Sequence, residues 1–291
     1  MDNKETGSPY IDTITEYIKN MPSLPTTVTK VLEICNNIKT SPADLNYVIS
    51  LDPVLVGRIL KLINSAYYGF SQQVTNIVRA IIMLGINTVK NLTLSTAVMA
   101  TLSTAKDSQG LDMEGFWQHS LGVGVAAKLL AERRGVDAKQ REEYFTAGLL
   151  HDVGKIPLNA VLSRDYMITI SVADRDRTAL FRTENKILGI NHNDTGAMIV
   201  NAWQLEGPVG DVIIHHHRHN EYTGPYKDIL YSVVAANYFV CSSEIGFAGD
   251  RHAGRGDTLV WKYLGLNQDI LDDMKKTVDR EIEKARIFLK L

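Results

Sequence analysis

Gly148-Leu149-Leu150-His151-Asp152-Val153-Gly154-Lys155 sets an adjacent His and Asp at the end of an apolar helical run and closes them with a glycine. Two neighbouring residues cannot share one face of a straight helix, so the pair is expected where a helix ends or distorts. There His151 and Asp152 can both turn toward one point. A carboxylate has two oxygens with which to bridge two cations, and imidazole suits Zn, Fe, Ni or Mn. The plain alternative is a capping His beside a surface Asp. The other histidines decide between the two.

All eight histidines lie at position 119 or later. His119 shares a helical stripe with Phe116, Val123, Ala126 and Leu130, so it faces inward. His192 shares one with Gly196, Ile199, Val200 and Trp203. His216 follows Val209, Val212 and Ile213 on a helix that Pro208 starts, with His217 beside it. Asn237 falls on the apolar side with Leu230, Val233, Val234 and Cys241. One inward His is usually a satisfied core residue. Four helices that each aim a ligand-type group inward call for a common partner, because isolated buried polar groups are costly. A metal centre shared with His151 and Asp152 would serve all of them. His215, His219 and His252 miss these stripes and read as rim or surface.

At 291 residues the chain has room for about two domains or one large one. Its 45% hydrophobic and 22% charged residues describe an ordinary globular protein. A net charge of -2 gives no global basic field to recommend nucleic acid or an anionic membrane. Cys35 and Cys241 sit far apart in apolar contexts, as expected for reduced, buried thiols in a cytoplasmic protein. The polar start and the lack of a long apolar run also favour the cytoplasm.

Helical signals dominate, and no strand alternation persists. A short helix is expected over 10–20, broken by Met21-Pro22-Ser23-Leu24-Pro25, with another over 27–38. Ser41-Pro42-Ala43-Asp44 and Asp52-Pro53 are helix starts, each with a capping side chain ahead of proline. The second of these helices aligns Leu55, Ile59, Leu62, Ile63 and Ala66. The next runs from about Asn76 to a terminating Gly85, with Asn87 as the expected cap of its successor. Tyr67, Tyr68 and Phe70 read as core or interface. The expected fold is all-α, a bundle of short helices over 20–105 packed on a helical subdomain over 106–245. An arm precedes them over 1–19, and a loop and amphipathic helix follow over 246–291. The polar stretch 103–113 marks the subdomain boundary. Nothing in 20–105 resembles a catalytic cluster.

The order of separated His, then His-Asp, then further His and a late acid resembles the HD superfamily of metal-dependent phosphohydrolases. The segments Ile49 to Leu55, Leu62 to Tyr68, Ala80 to Gly85, Glu184 to His192, Trp203 and His216-His217 resemble the hallmarks of HDOD domains over roughly 15–245. These are signalling relatives of the HD-GYP cyclic-dinucleotide phosphodiesterases. The resemblance implies His119, His151 and Asp152 at a first metal. Asp152 would bridge to a second held by His192, His216 and His217, with Glu184 as an additional carboxylate. One or two divalent ions are implied, Fe, Mn, Zn or Ni. Lys155, or Arg218, would meet phosphate or developing charge. Two departures stand out. The late Asp is Asn237, which removes a negative charge from the first site, and the Gly-Tyr-Pro signature is absent. The implied function is therefore a bacterial signal-transduction module that binds a protein partner, possible as a homodimer. Surface near Tyr67, Tyr68 and Phe70 is the expected contact. The alternative is a phosphohydrolase acting, through Asp152 and Lys155, on a nucleotide or cyclic dinucleotide.

Overall fold

A computed structural model describes residues 9–37, 39–102, 110–252 and 257–290. Every regular element among them is helical. α1 (Ile11–Asn20) is followed by α2 (Thr26–Cys35), α3 (Pro42–Ser50), α4 (Pro53–Ile63), α5 (Ile77–Leu84) and α6 (Ile86–Leu102). Then come α7 (Met113–Arg133), α8 (Arg141–Leu150), α9 (Lys155–Val161), α10 (Ser163–Asp176), α11 (Leu180–Ile187) and α12 (His192–Trp203). α13 (Pro208–His215), α14 (Lys227–Ser242), α15 (Thr258–Leu264) and α16 (Gln268–Ala285) complete the order, with a short 3-10 helix over Arg286–Lys290. The expected boundary at 103–113 falls largely outside the described residues.

Local chemistry sets the sharp corners. Ser41 accepts from the Asp44 N–H while Asp44 bonds back to the Ser41 N–H at 2.9 Å, a capping box with Pro42 in the first turn. Asp52 accepts from the Leu55 N–H at 3.0 Å and starts α4 in the same way. α4 buries Leu55, Ile59, Leu62 and Ile63, but it ends at Ile63, which leaves Ala66 beyond the helix and exposed. α5 and α6 meet at 118° across Gly85, whose φ of 90° suits a residue without a Cβ. α6 starts at Ile86, so Asn87 lies inside the helix instead of capping it. α6 is buried along most of its length and packs against α2, α4, α5 and α8, which makes it the axle of the N-terminal helices. No single helix among the described residues is long and apolar enough to cross a membrane.

Two glycines let the central helices meet. A Cβ on Gly148 would stand 2.8 Å from the Gly124 Cα, so α7 and α8 cross at backbone contact. A Cβ on Gly154 would overlap the His192 carbonyl, which brings the turn after Asp152 directly against α12. α14 covers α7, α8 and α13, and α1 lies across α9 and α12. α16 packs back on α7 through Leu271, Met274, Val278 and Ile282.

Tyr67 and Tyr68 are consumed inside the molecule. The Tyr67 ring contacts Phe145 of α8 and Phe288 of the C-terminal 3-10 helix, each at 5.5 Å between centroids. Lys128 of α7 donates to Glu142 at 2.6 Å and to the Tyr67 hydroxyl at 3.0 Å, and Tyr68 donates to Glu142 at 2.9 Å. These aromatics join the N-terminal helices to α7 and α8. Removing one member of a buried pair strands the other charge. Lys128→Met should therefore lower unfolding stability by about 3 kcal/mol in a urea titration, with most of it recovered in Lys128→Met/Glu142→Leu. Equal losses in the single and double variants would contradict this reading of the knot.

Candidate metal centre

The His-Asp pair sits where the helix ends. α8 stops at Leu150, His151 is its C-cap residue, and residues 151–154 turn into α9. Both side chains are buried, at 1% exposure each. Asp152 occupies the middle of the cluster, with its two oxygens facing different sets of groups. Oδ2 stands 3.3 Å from His151 Nε2, 3.9 Å from His119 Nε2 and 2.6 Å from Lys155 Nζ. Oδ1 stands 3.5 Å from both His192 Nε2 and His216 Nε2, which are themselves 3.3 Å apart. Ligand atoms fall into two groups that could each hold an ion: His119, His151 and Asp152, and His192, His216 and His217.

The rings are held from behind, which aims their other nitrogens inward. His151 Nδ1 bonds the Gly148 carbonyl at 2.8 Å, and His216 Nδ1 bonds the Val212 carbonyl at 3.0 Å. His192 opens α12 under an Asn191–Asp194 capping box, and its Nδ1 meets Glu184 Oε2 at 2.6 Å. Glu184 also accepts from the His192 N–H at 3.0 Å and from the Tyr166 hydroxyl at 2.8 Å. Both its oxygens are thus engaged behind His192, unlike the additional ligand carboxylate expected from the sequence. His217 is half-buried and stacks on Phe181 at 4.3 Å. Asn237, on α14, stands beside His119 of the first group, as its helical phase implied.

Burial pushes the His119 imidazole down to about 3, helped by neighbouring His151, and burial likewise pushes His216 down to about 4. Both are therefore neutral near pH 7, the form that ligates metal. Burial alone would raise the Asp152 carboxyl, but His151 and Lys155 beside it hold it well below the usual carboxylate range. His119 and His216 thus bring neutral imidazoles to a fixed anion. Among the described residues, His151 Nε2 and Asp152 Oδ1 have no hydrogen-bond partner although both are buried. Such orphans are costly in a dry interior, and cations bound in the two groups would satisfy them.

Lys155 donates to Asp152 and, at 2.9 Å, to the Ala248 carbonyl, so its ammonium is spent on the cluster and does not reach outward. Arg218 is turned away, paired with Asp194 at 2.7 Å. Of the histidines expected on the rim, His219 pairs with Asp257 at 2.9 Å and His252 with Asp174 at 3.2 Å. The sequence reading missed Tyr166 and Asn193. Asn193 donates to the Ile213 carbonyl at 3.0 Å and lies 3.1 Å from His216 Nδ1, tying α12 to α13. Its position next to His192, in the first turn of a capped helix, was the available signal.

The HDOD domain profile matches residues 21–219, more than half of the chain. This protein belongs to the HDOD family. An HDOD domain protein of unknown function from Geobacter sulfurreducens shares its fold at 22% identity and a TM-score of 0.74, covering 95% of this chain and 98% of that one. A protein of Shewanella amazonensis SB2B, provisionally named a phosphohydrolase, is 22% identical with a TM-score of 0.68, covering 97% and 98%. One from Marinobacter aquaeolei VT8, provisionally named a signal transduction protein, is 20% identical with a TM-score of 0.72, covering 96% and 64%. An uncharacterised protein of Treponema pallidum (strain Nichols) is 26% identical over 225 residues, and the HDOD chain spans 43% of its length.

Carboxylates that orient a ligating His typically control metal affinity about 10–100-fold. Glu184→Gln, which weakens the grip on His192 Nδ1, should reduce Zn affinity by about tenfold or more in competition with a chromophoric chelator. Unchanged affinity would show that His192 does not depend on Glu184 for its orientation.

Proposed function

We propose that this protein is a regulatory, partner-binding HDOD module built around a divalent metal centre. The observation that carries the proposal is the position of Asp152, buried with one oxygen toward His119 and His151 and the other toward His192 and His216. His119, His151 and Asp152, with Asn237 beside them, would hold one ion. His192, His216 and His217, sharing Asp152, would hold a second. Fe, Mn, Zn and Ni all suit an imidazole-rich set with a single carboxylate. When bound, a divalent cation supplies Lewis-acid stabilisation of phosphoryl charge.

Three features favour regulation over turnover. Asn237 leaves the first group without a second carboxylate. Lys155 is committed to Asp152 and the Ala248 carbonyl, so no free ammonium faces a ligand from that position. Helices α2–α6 place no side chain in either ligand group yet are tied to α7 and α8, an arrangement suited to passing a state of the centre to a partner. The competing reading, a metal-dependent phosphohydrolase, draws on the cavity that opens beside His216 and His217.

One purification separates the two. Protein prepared anaerobically should carry Fe, Mn, Zn or Ni near stoichiometry, lost in His151→Ala/Asp152→Ala, and should leave a panel of phosphomonoesters and cyclic dinucleotides unhydrolysed. Equal metal content in wild type and the double variant would remove the centre. Hydrolysis that disappears in Asp152→Ala would make the protein an enzyme.

A further inference from the structure

The cavity beside the metal centre has a volume of about 500 Å³. His216, His217 and Asn237 are among the residues that line it. One wall comes from the turn between α10 and α11 and the start of α11, with Arg177, Phe181 and Arg182. The other comes from α14 and α15, with Tyr238 and Trp261.

Charge on the walls is unbalanced. Arg177 and Arg182 are exposed and, among the described residues, neither is within ion-pair distance of a carboxylate. Asp257 also lines the cavity, but it is engaged by His219 at 2.9 Å and by the Leu259 and Val260 N–H groups at the start of α15. His252 is held by Asp174. Two guanidiniums therefore remain to meet a ligand. Guanidinium forks match phosphate oxygens bidentately, and two of them suit a dianion better than a single carboxylate. Arg177 also has a φ of 51°, in the left-handed region where glycine or asparagine usually closes a helix, so a cationic side chain is retained there at some backbone cost.

The lining from α14 and α15 includes two aromatic rings. Trp261 is half-buried, and the Tyr238 ring props it edge-on at 5.7 Å and 73°. Cavities of roughly 300–1,000 Å³ take small organic ligands, and inorganic phosphate alone would leave most of this one empty. We propose that the cavity binds a nucleotide, with its phosphates on Arg177 and Arg182 and its base against Trp261. The ligand class deepens the preceding reading, since the cavity opens onto the same centre, but the arginine contacts do not require the metal.

ADP, adenosine and pyrophosphate are the probes, titrated by calorimetry into metal-replete and EDTA-treated protein. ADP should bind saturably to both preparations, and more tightly than either adenosine or pyrophosphate. Arg177→Gln/Arg182→Gln, two exposed positions, should weaken ADP about tenfold or more, because charge-assisted contacts are lost, while its melting temperature stays unchanged. Trp261→Leu should weaken ADP but not pyrophosphate. No saturation by ADP below about 1 mM would overturn the proposal, as would equal ADP affinity in wild type and the double arginine variant. Pyrophosphate binding as tightly as ADP would overturn the place given to the base. Arginine-dependent binding to protein that proves to hold no metal would leave the nucleotide site standing and remove the metal centre.

Discussion

A carboxylate at 1% exposure in the middle of a helical core is the constraint on which this molecule depends. An isolated buried charge would be strongly destabilising, so Asp152 persists only because its surroundings answer it. Lys155 does so from the next helix, and imidazoles approach from α7, α12 and the end of α13. Meeting at one carboxylate requires those helices to come unusually close. Gly148 against Gly124 and Gly154 against the His192 carbonyl are where the chain allows it, and at both contacts a side chain would block the approach.

The same helices carry the link to the N-terminal half. Lys128 lies on α7, nine residues after His119, and Glu142 opens α8, whose far end presents His151. Their ion pair at 2.6 Å is covered by Tyr67 and Tyr68 from the segment after α4. A shift of α7 against α8 at the centre would therefore strain this knot, and movement of the N-terminal helices would strain the centre. Phe288 closes the same junction, packed at 4.8 Å between centroids on Phe145. The 3-10 helix after α16 thus returns to the place where the two halves meet. Tyr67 and Tyr68 could be recognised as interface residues from sequence, but their partners lie far away in the chain and carry no local signal.

Legibility followed the range of the interactions. Helix starts at Ser41-Pro42 and Asp52-Pro53 are local chemistry, and they fold as read. Periodicity located His119, His192, His216 and Asn237 on inward faces, because burial of a helix stripe is decided by its own spacing. The same spacing does not fix where α4 ends, short of Ala66, nor that α6 begins at Ile86, one residue ahead of the cap-type Asn87. Second partners were the least visible. Glu184 and Lys155 were identified as functional positions, yet their hydrogen bonds turn one behind His192 and the other onto Asp152. Those directions depend on how α9, α11 and α12 pack, which no stretch of sequence states by itself.

X-ray absorption at the metal edge of protein purified with its native metal tests the central claim most directly. A centre gathered around Asp152 predicts a first shell dominated by imidazole nitrogen at about 2.0–2.2 Å, with multiple-scattering features of several histidines and a minority oxygen contribution. Substituting Asp152 by Ala should remove that oxygen and reduce the metal content together. A first shell of water or sulfur, or one unchanged by Asp152→Ala, would contradict the account.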